Sequence, residues 1–111
     1  MAVPPNAKRV PPEEVPSIII GDLRIDVVHW ARDEGFDQNG GVLRAVDTAS
    51  GATAWTLKVY GVQYDAQLES DVQDVFITAL RKPWLRNHLL VSDERGRNWR
   101  IDLATRAVTP E

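Results

Sequence analysis

Ala45-Val46-Asp47-Thr48-Ala49-Ser50-Gly51-Ala52-Thr53-Ala54-Trp55 is the stretch that decides the fold. It reads as a strand, a tight Ser-Gly turn and a returning strand opened by tryptophan. Outward from it the β pattern continues. Residues 42–47 and 52–60 make the two arms of a hairpin, and in the second arm Thr56, Lys58 and Tyr60 alternate with Leu57, Val59 and Gly61. Upstream, Ser17-Ile18-Ile19-Ile20 and a run from Leu23 to Trp30 are β-rich, separated by Gly21-Asp22. Leu23, Ile25, Val27 and His29 alternate with Arg24, Asp26, Val28 and Trp30, the period of two that marks a half-buried strand. Gly21-Asp22 either turns a hairpin or bulges one long strand.

Downstream, residues 65–80 carry two conflicting patterns. Leu68, Val72, Val75, Phe76, Ala79 and Leu80 share a helical face, and Asp65 is a good N-cap. Val75-Phe76-Ile77-Thr78, in contrast, is a β-branched and aromatic run that suits a strand. The expectation is one short helix over 66–72 and a strand over 74–81, closed by Pro83. The tail is a meander: strands over 88–93 and 98–103, a turn at Glu94-Arg95-Gly96, and a last strand over 107–109. The fold class expected is mainly β: a small antiparallel sandwich or barrel of about seven strands built from hairpins, with one short helix. Residues 1–16 hold five of the seven prolines and are expected to be a flexible, extended arm. Residues 17–111 form a single domain.

Composition narrows the class. At 43% hydrophobic and 26% charged, 111 residues make one ordinary globular domain with a modest core. No apolar run approaches the ~18 residues of a membrane span, and no apolar leader is visible, so a cytoplasmic protein is expected. Absence of cysteine excludes disulfides and thiolate metal sites. The net charge of −3 is unevenly spread: residues 1–80 balance at −6 and residues 81–111 at +3. Such complementary halves can steer self-association or hold two ends of one fold together.

The pattern A-x-D-x-x-[ST]-G-x-x-x-W, carried by Ala45, Asp47, Ser50, Gly51 and Trp55, resembles the tryptophan-docking motif of quinoprotein-type (PQQ) β-propeller blades. The motif covers about a tenth of the chain. A looser second copy runs from Gly96 to Arg106, laid over Gly41 to Gly51, with Asp102 at the place of Asp47 and Thr105 at that of Ser50. It departs where Arg106 replaces the turn glycine and Pro110 replaces Trp55, so the second turn need not share the geometry of the first. The resemblance implies a structural job. Trp55 would pack flat on a neighbouring hairpin while Asp47 and Ser50 hydrogen-bond the turn. The family's quinone and metal sit at the centre of a full propeller, a site not identifiable here, so no cofactor is expected. Two blade-like units do not close a propeller, which leaves a small sandwich or edge pairing with a second copy. Non-enzymatic scaffold proteins, outer-membrane assembly factors among them, carry the same blade pattern.

The catalytic inventory is thin. No nucleophile elbow, P-loop or zinc motif is present. His29 sits among apolar alternating residues and His88 at a strand entry, with no partner in sequence for either. The acidic loop 31–41 offers Asp33, Asp37 and Asn39 as weak oxygen ligands for a hard cation, because Asp37-x-Asn39-Gly40 echoes calcium loops; the EF-hand spacing fails. Arg81, Lys82, Trp84, Arg86, Arg95, Arg97, Trp99 and Arg100 combine charge and aromatics as nucleic-acid surfaces do. Trp99 shares a face with Ile101 and Leu103, however, and the overall acidity disfavours nucleic acid. Trp84, Leu85 and Arg86 form a tip between strands that suits a protein contact. The function expected is a non-catalytic interaction module that binds a protein partner or itself, through sheet edges and the Trp84 region. The alternative is a small-ligand or metal-binding protein, or an enzyme, with its site at the 31–41 loop and His29.

Overall fold

The computed structural model describes residues 11–68 and 73–111. Among them run eight strands: β1 Ile18–Ile20, β2 Leu23–Val28, β3 Val42–Asp47, β4 Thr53–Lys58, β5 Ile77–Arg81, β6 His88–Asp93, β7 Asn98–Asp102 and β8 Val108–Pro110. They build two four-stranded antiparallel sheets, each a meander in chain order: β1-β2-β3-β4 and β5-β6-β7-β8. The architecture is an open, sandwich-like pair of sheets, not a closed barrel. Gly21-Asp22 turns a hairpin, with Gly21 in the left-handed region and Ile20 opposite Leu23. The expected helix over 66–72 extends into 69–72, which lie outside the described residues. The described residues 66–68 form a turn and not a helix, with Asp65 Oδ1 accepting from the Gln67 amide at 2.9 Å. A 3₁₀ turn at Ala31–Glu34 was not anticipated.

Register follows from burial. Ile18, Ile25, Ala45 and Trp55 stand in one row across the first sheet, and Val27, Leu43 and Leu57 in the next. Leu89, Ile101 and Val108 form a row of the second sheet, beside Leu80, Val91 and Trp99. These faces meet in one core, where Ile25, Leu43, Ala45, Leu89, Val91 and Ile101 are wholly buried. A slip of one residue in any strand would turn its apolar set outward, so burial of this face fixes the pairing.

The link from β4 to β5 adds to this core, while Val28, Ala31, Val42 and Phe36 form a smaller cluster. The chain leaves β4 so that Val59 and Tyr60 are both buried, and Tyr60 Oη donates to the Val75 carbonyl at 2.6 Å. Gln38, 1% exposed, reaches into this junction. Its Nε2 donates to the carbonyls of Gly40 (2.7 Å) and Tyr60 (2.8 Å), and its Oε1 accepts from the Val62 amide at 2.8 Å. A buried amide with three of its bonds made is cheap to hold and costly to delete.

The two motif-bearing turns have matching hydrogen bonds. In the first, Asp47 Oδ1 accepts from the amides of Ala49 (2.9 Å) and Ser50 (3.0 Å), and Ser50 Oγ accepts from Ala52 at 3.2 Å. In the second, Asp102 Oδ1 accepts from Ala104 (2.8 Å) and Thr105 (2.9 Å), and Thr105 Oγ1 from Ala107 at 3.2 Å. Gly51 and Arg106 both have positive φ, 76° and 62°. Arg106 therefore tolerates the left-handed position, which costs a non-glycine residue roughly 1–2 kcal/mol. The backbone amides of Ser50 and Ala49 hold the Asp47 carboxyl below the usual range, and those of Thr105 and Ala104 do the same for Asp102. Beyond the turns the copies differ. β4 has a bulge in which Ala54 is the extra residue, whereas β8 pairs without one. Pro110 is placed on an edge strand, where its missing N–H costs no ladder bond.

Gly51→Ala is expected to destabilise by about 1–2 kcal/mol through backbone conformation alone, because a Cβ there meets nothing within 4 Å. A urea melt with unchanged slope would show it. Trp55 lies half-buried against the core, with the Arg106 guanidinium 5.7 Å above its ring. Its partial exposure puts Trp55→Ala at the lower end of the 3–5 kcal/mol typical of core aromatics, about 3 kcal/mol. A measured loss under ~1 kcal/mol would remove it as an anchor.

Candidate interaction site

The loop joining β5 to β6 is built by residues 82–87. Pro83 fixes its own φ and holds Lys82 extended, which ends β5. The Arg86 amide donates to the Pro83 carbonyl at 3.2 Å, and Lys82 Nζ donates to the Arg86 carbonyl at 2.7 Å. The Leu103 amide ties the base of the loop to the Asn87 carbonyl at 3.1 Å. The apex is Trp84-Leu85, 87% and 80% exposed. Leu85 has φ 62°, a left-handed conformation for a residue that ordinarily avoids it. An apolar pair thus stands in solvent on a strained but internally bonded turn.

The charges carried by the loop itself and its entry are all positive. Arg81, Lys82 and Arg86 are all exposed and none forms an ion pair among the described residues. Beside it lies an open cleft of about 540 Å³ whose walls include Leu85, Arg86, His88, Arg100 and the acidic Asp102. The structure brings Trp84, Leu85 and Arg86 together on one exposed turn between β5 and β6.

Most of the rest of the basic-aromatic set is engaged within the second sheet, although Arg95, Arg97 and Arg100 stay exposed. Arg97 Nε pairs with Asp93 at 2.7 Å, and its guanidinium lies 5.2 Å from both the Tyr60 and Trp99 rings, themselves stacked at 5.5 Å. Trp99 Nε1 donates to Asp93 Oδ2 at 3.1 Å. Arg100 binds Glu111 through two bonds of 3.1 Å. These side chains do not form a free stacking platform for bases.

The acidic loop is likewise engaged. Glu34 pairs with Arg44 at 2.6 Å and Asp37 with Lys58 at 3.1 Å. Asn39 Oδ1 accepts from the Arg32 amide at 3.3 Å, and its Nδ2 donates to Asp74 at 3.2 Å. Asp33 is exposed at the 3₁₀ turn. Among the described residues no three His, Asp or Glu side chains gather as a metal site would require. His29 Nε2 lies 2.9 Å from the Glu13 carbonyl, an arrangement in which that nitrogen donates, and its ring meets the Phe76 edge at 5.3 Å. Its Nδ1 is buried without a hydrogen-bond partner among the described residues, so no carboxylate orients it as a base.

Two polar groups escaped the sequence reading. Asp93 looks like any turn aspartate, although Asp93-x-x-Gly96 is a turn-capping spacing that could have flagged it. The second is Asp74, which accepts from Tyr64 Oη and Asn39 while Arg32 covers the Tyr64 ring at 4.5 Å. Burial, then the bond to Asp74 and its charge, push the Tyr64 phenol up to about 12. No helix among the described residues is long and apolar enough to cross a membrane. No protein-family model matches the sequence, and no curated protein matches it either.

Proposed function

We propose that this chain is a non-catalytic β-rich interaction module that engages a protein partner, or a second copy of itself, through the Trp84-Leu85-Arg86 tip. The observation that carries the reading is the tip itself: two large apolar side chains held in solvent, one of them at a left-handed φ. Strain of this kind persists where surrounding structure over-determines it, and it concentrates at binding elements. Trp and Arg are also the residue types that dominate binding energy at protein interfaces. The free edge of β4, six residues long and without proline, offers a second contact by strand addition. The resemblance to propeller blades supports the same reading. Two four-stranded meanders with matched Asp-capped turns are what a pair of blade-like scaffold units would contain.

Leu85→Gly separates binding from folding. It relieves the left-handed strain and removes no packed side chain, so it is expected to stabilise the fold by about 1 kcal/mol. The same change, like Trp84→Ala, is expected to weaken association by about 30-fold, the effect of losing a hot-spot residue. Paired urea melts and sedimentation velocity, run with whatever partner the wild type captures and with the protein alone, read both effects. Association unchanged in a folded Trp84→Ala/Leu85→Ala variant would overturn the assignment.

A further inference from the structure

A second opening lies on the opposite sheet. Residues 11–17 run across the end of β2, tied there by the bond between His29 and the Glu13 carbonyl. Between this segment and the strand is a cleft of about 630 Å³, within the size range of sites that enclose small ligands. Its apolar walls are Pro11, Pro12 and Val15 on one side and Val27 and Trp30 on the other. Trp30 remains 48% exposed there, its ring set edge-on against Phe76 at 5.5 Å.

The charges at the cleft sort into spent and unspent. Arg24 holds Asp26 at 2.8 Å, and Arg44 holds Glu34 at 2.6 Å. Glu14 lines the cleft and Glu13 flanks it, both exposed and neither in an ion pair among the described residues. The opening therefore combines an apolar patch between the arm and Trp30 with the already paired charges of Arg24, Asp26 and Arg44, and carries unneutralised carboxylates at its mouth. The tip on the other sheet is the converse, Trp84 and Leu85 projecting from a collar of Arg81, Lys82 and Arg86. The same opposition runs through the whole chain, −6 over residues 1–80 against +3 over residues 81–111.

Building on the tip as a contact, we infer that its occupant is the β2–arm cleft of a second copy of this chain. Trp84 and Leu85 of one molecule enter between Pro12, Val15 and Trp30 of the next, and Lys82 and Arg86 meet Glu13 and Glu14. Knob and socket are different patches, so the contact is isologous only where two molecules exchange tips and heterologous otherwise. It closes when two molecules exchange tips or when a ring returns on itself, and otherwise it propagates. Its charged rim makes association faster at low ionic strength.

Two fold-neutral variants test this. A tip-dead chain, Trp84→Ala/Leu85→Ala, keeps its socket; a socket-dead chain, Glu14→Arg/Val15→Arg, keeps its tip. The wild type is expected to gain mass with concentration in sedimentation velocity, and each variant alone to stay monomeric. An equimolar mixture of the two is expected to form a one-to-one complex and nothing larger, because only one tip and one socket survive. The Arg86→Glu change is expected to weaken wild-type association at least about 10-fold, and Glu14→Arg in the partner to restore part of it. A mixture that stays monomeric while the wild type associates overturns the socket, as does a socket-dead variant that associates like the wild type. A wild type monomeric up to millimolar concentration also overturns it. That last result spares the tip as a contact for another protein, which fails only if Trp84→Ala/Leu85→Ala leaves such binding intact.

Discussion

Asp93→Asn is expected to destabilise the protein by about 3–5 kcal/mol, the cost of breaking a buried, hydrogen-bonded charge. The Asp93 side chain is fully buried, and each of its oxygens does two jobs. Oδ1 accepts from the amides of Arg95 (2.8 Å) and Arg97 (3.1 Å), closing the β6–β7 turn. Oδ2 accepts from Arg97 Nε (2.7 Å) and Trp99 Nε1 (3.1 Å), fixing the Arg97–Trp99–Tyr60 stack on the core. Asparagine keeps the shape but points an NH₂ at two donors and leaves the guanidinium without its counter-charge. Burial alone would push this carboxyl upward; the Trp99 N–H, the amides of Arg97 and Arg95, and the Arg97 guanidinium outweigh it, so the group is held below the usual range. A depressed carboxyl stabilises the fold at all pH values above its unfolded value of about 3.9, and that contribution drains away as pH falls through the lower folded value. Urea midpoints at pH 7 and pH 3 should therefore show a large gap between wild type and variant at pH 7 and a smaller one at pH 3. Equal gaps at the two pH values would refute the charge-based account.

Gly40→Ala is expected to cost at least about 3 kcal/mol, at or above the upper end of ordinary overpacking. The reason is distance and not conformation. A Cβ at Gly40 would stand 2.0 Å from the Val75 carbonyl oxygen, 2.7 Å from its carbon and 3.2 Å from Phe76 Cα. All three are backbone atoms, so no side chain can swing aside. The Val75 carbonyl is also the acceptor of the Tyr60 hydroxyl, so displacing it breaks the bond that locks the intersheet link. Gly51→Ala is the control, since there the backbone angle is adverse and the space is open. Comparable losses for the two glycines in thermal or urea melts would mean that 38–41 and 75–76 are not in the close contact described.

Much of the architecture was legible because each strand carries its own local signal. The strands expected over 42–47 and 88–93 agree with β3 and β6, since each is an apolar, β-prone run that ends in an aspartate-opened turn carrying a glycine. The second motif turn was harder. Arg106 advertises no left-handed position, and only the surrounding Asp102 and Thr105 bonds make that conformation affordable. Residues 59–62 and 74–76 were misleading for another reason. Val59 and Tyr60 are consecutive and both buried, which no period of two expresses, because the chain has left the sheet to bridge its neighbour. Gln38 gave no signal at all. A buried amide is specified by its carbonyl and amide partners, here the local Gly40 and the distant Tyr60 and Val62, and composition cannot announce them. The Trp84 tip was readable because proline, tryptophan and leucine in a loop leave apolar surface with nowhere to go.

The order of the two sheets has a consequence for synthesis. Every strand pair joins neighbours in sequence, so the first meander can zip up while the second is still emerging from the ribosome. Its wetted face would then display Ile25, Leu43 and Ala45 until Leu89, Val91 and Ile101 arrive to cover them. The nascent chain passes through a stage that is half assembled and adhesive, and the interval between completion of β4 and arrival of β6 and β7 is when a holdase would bind it most readily.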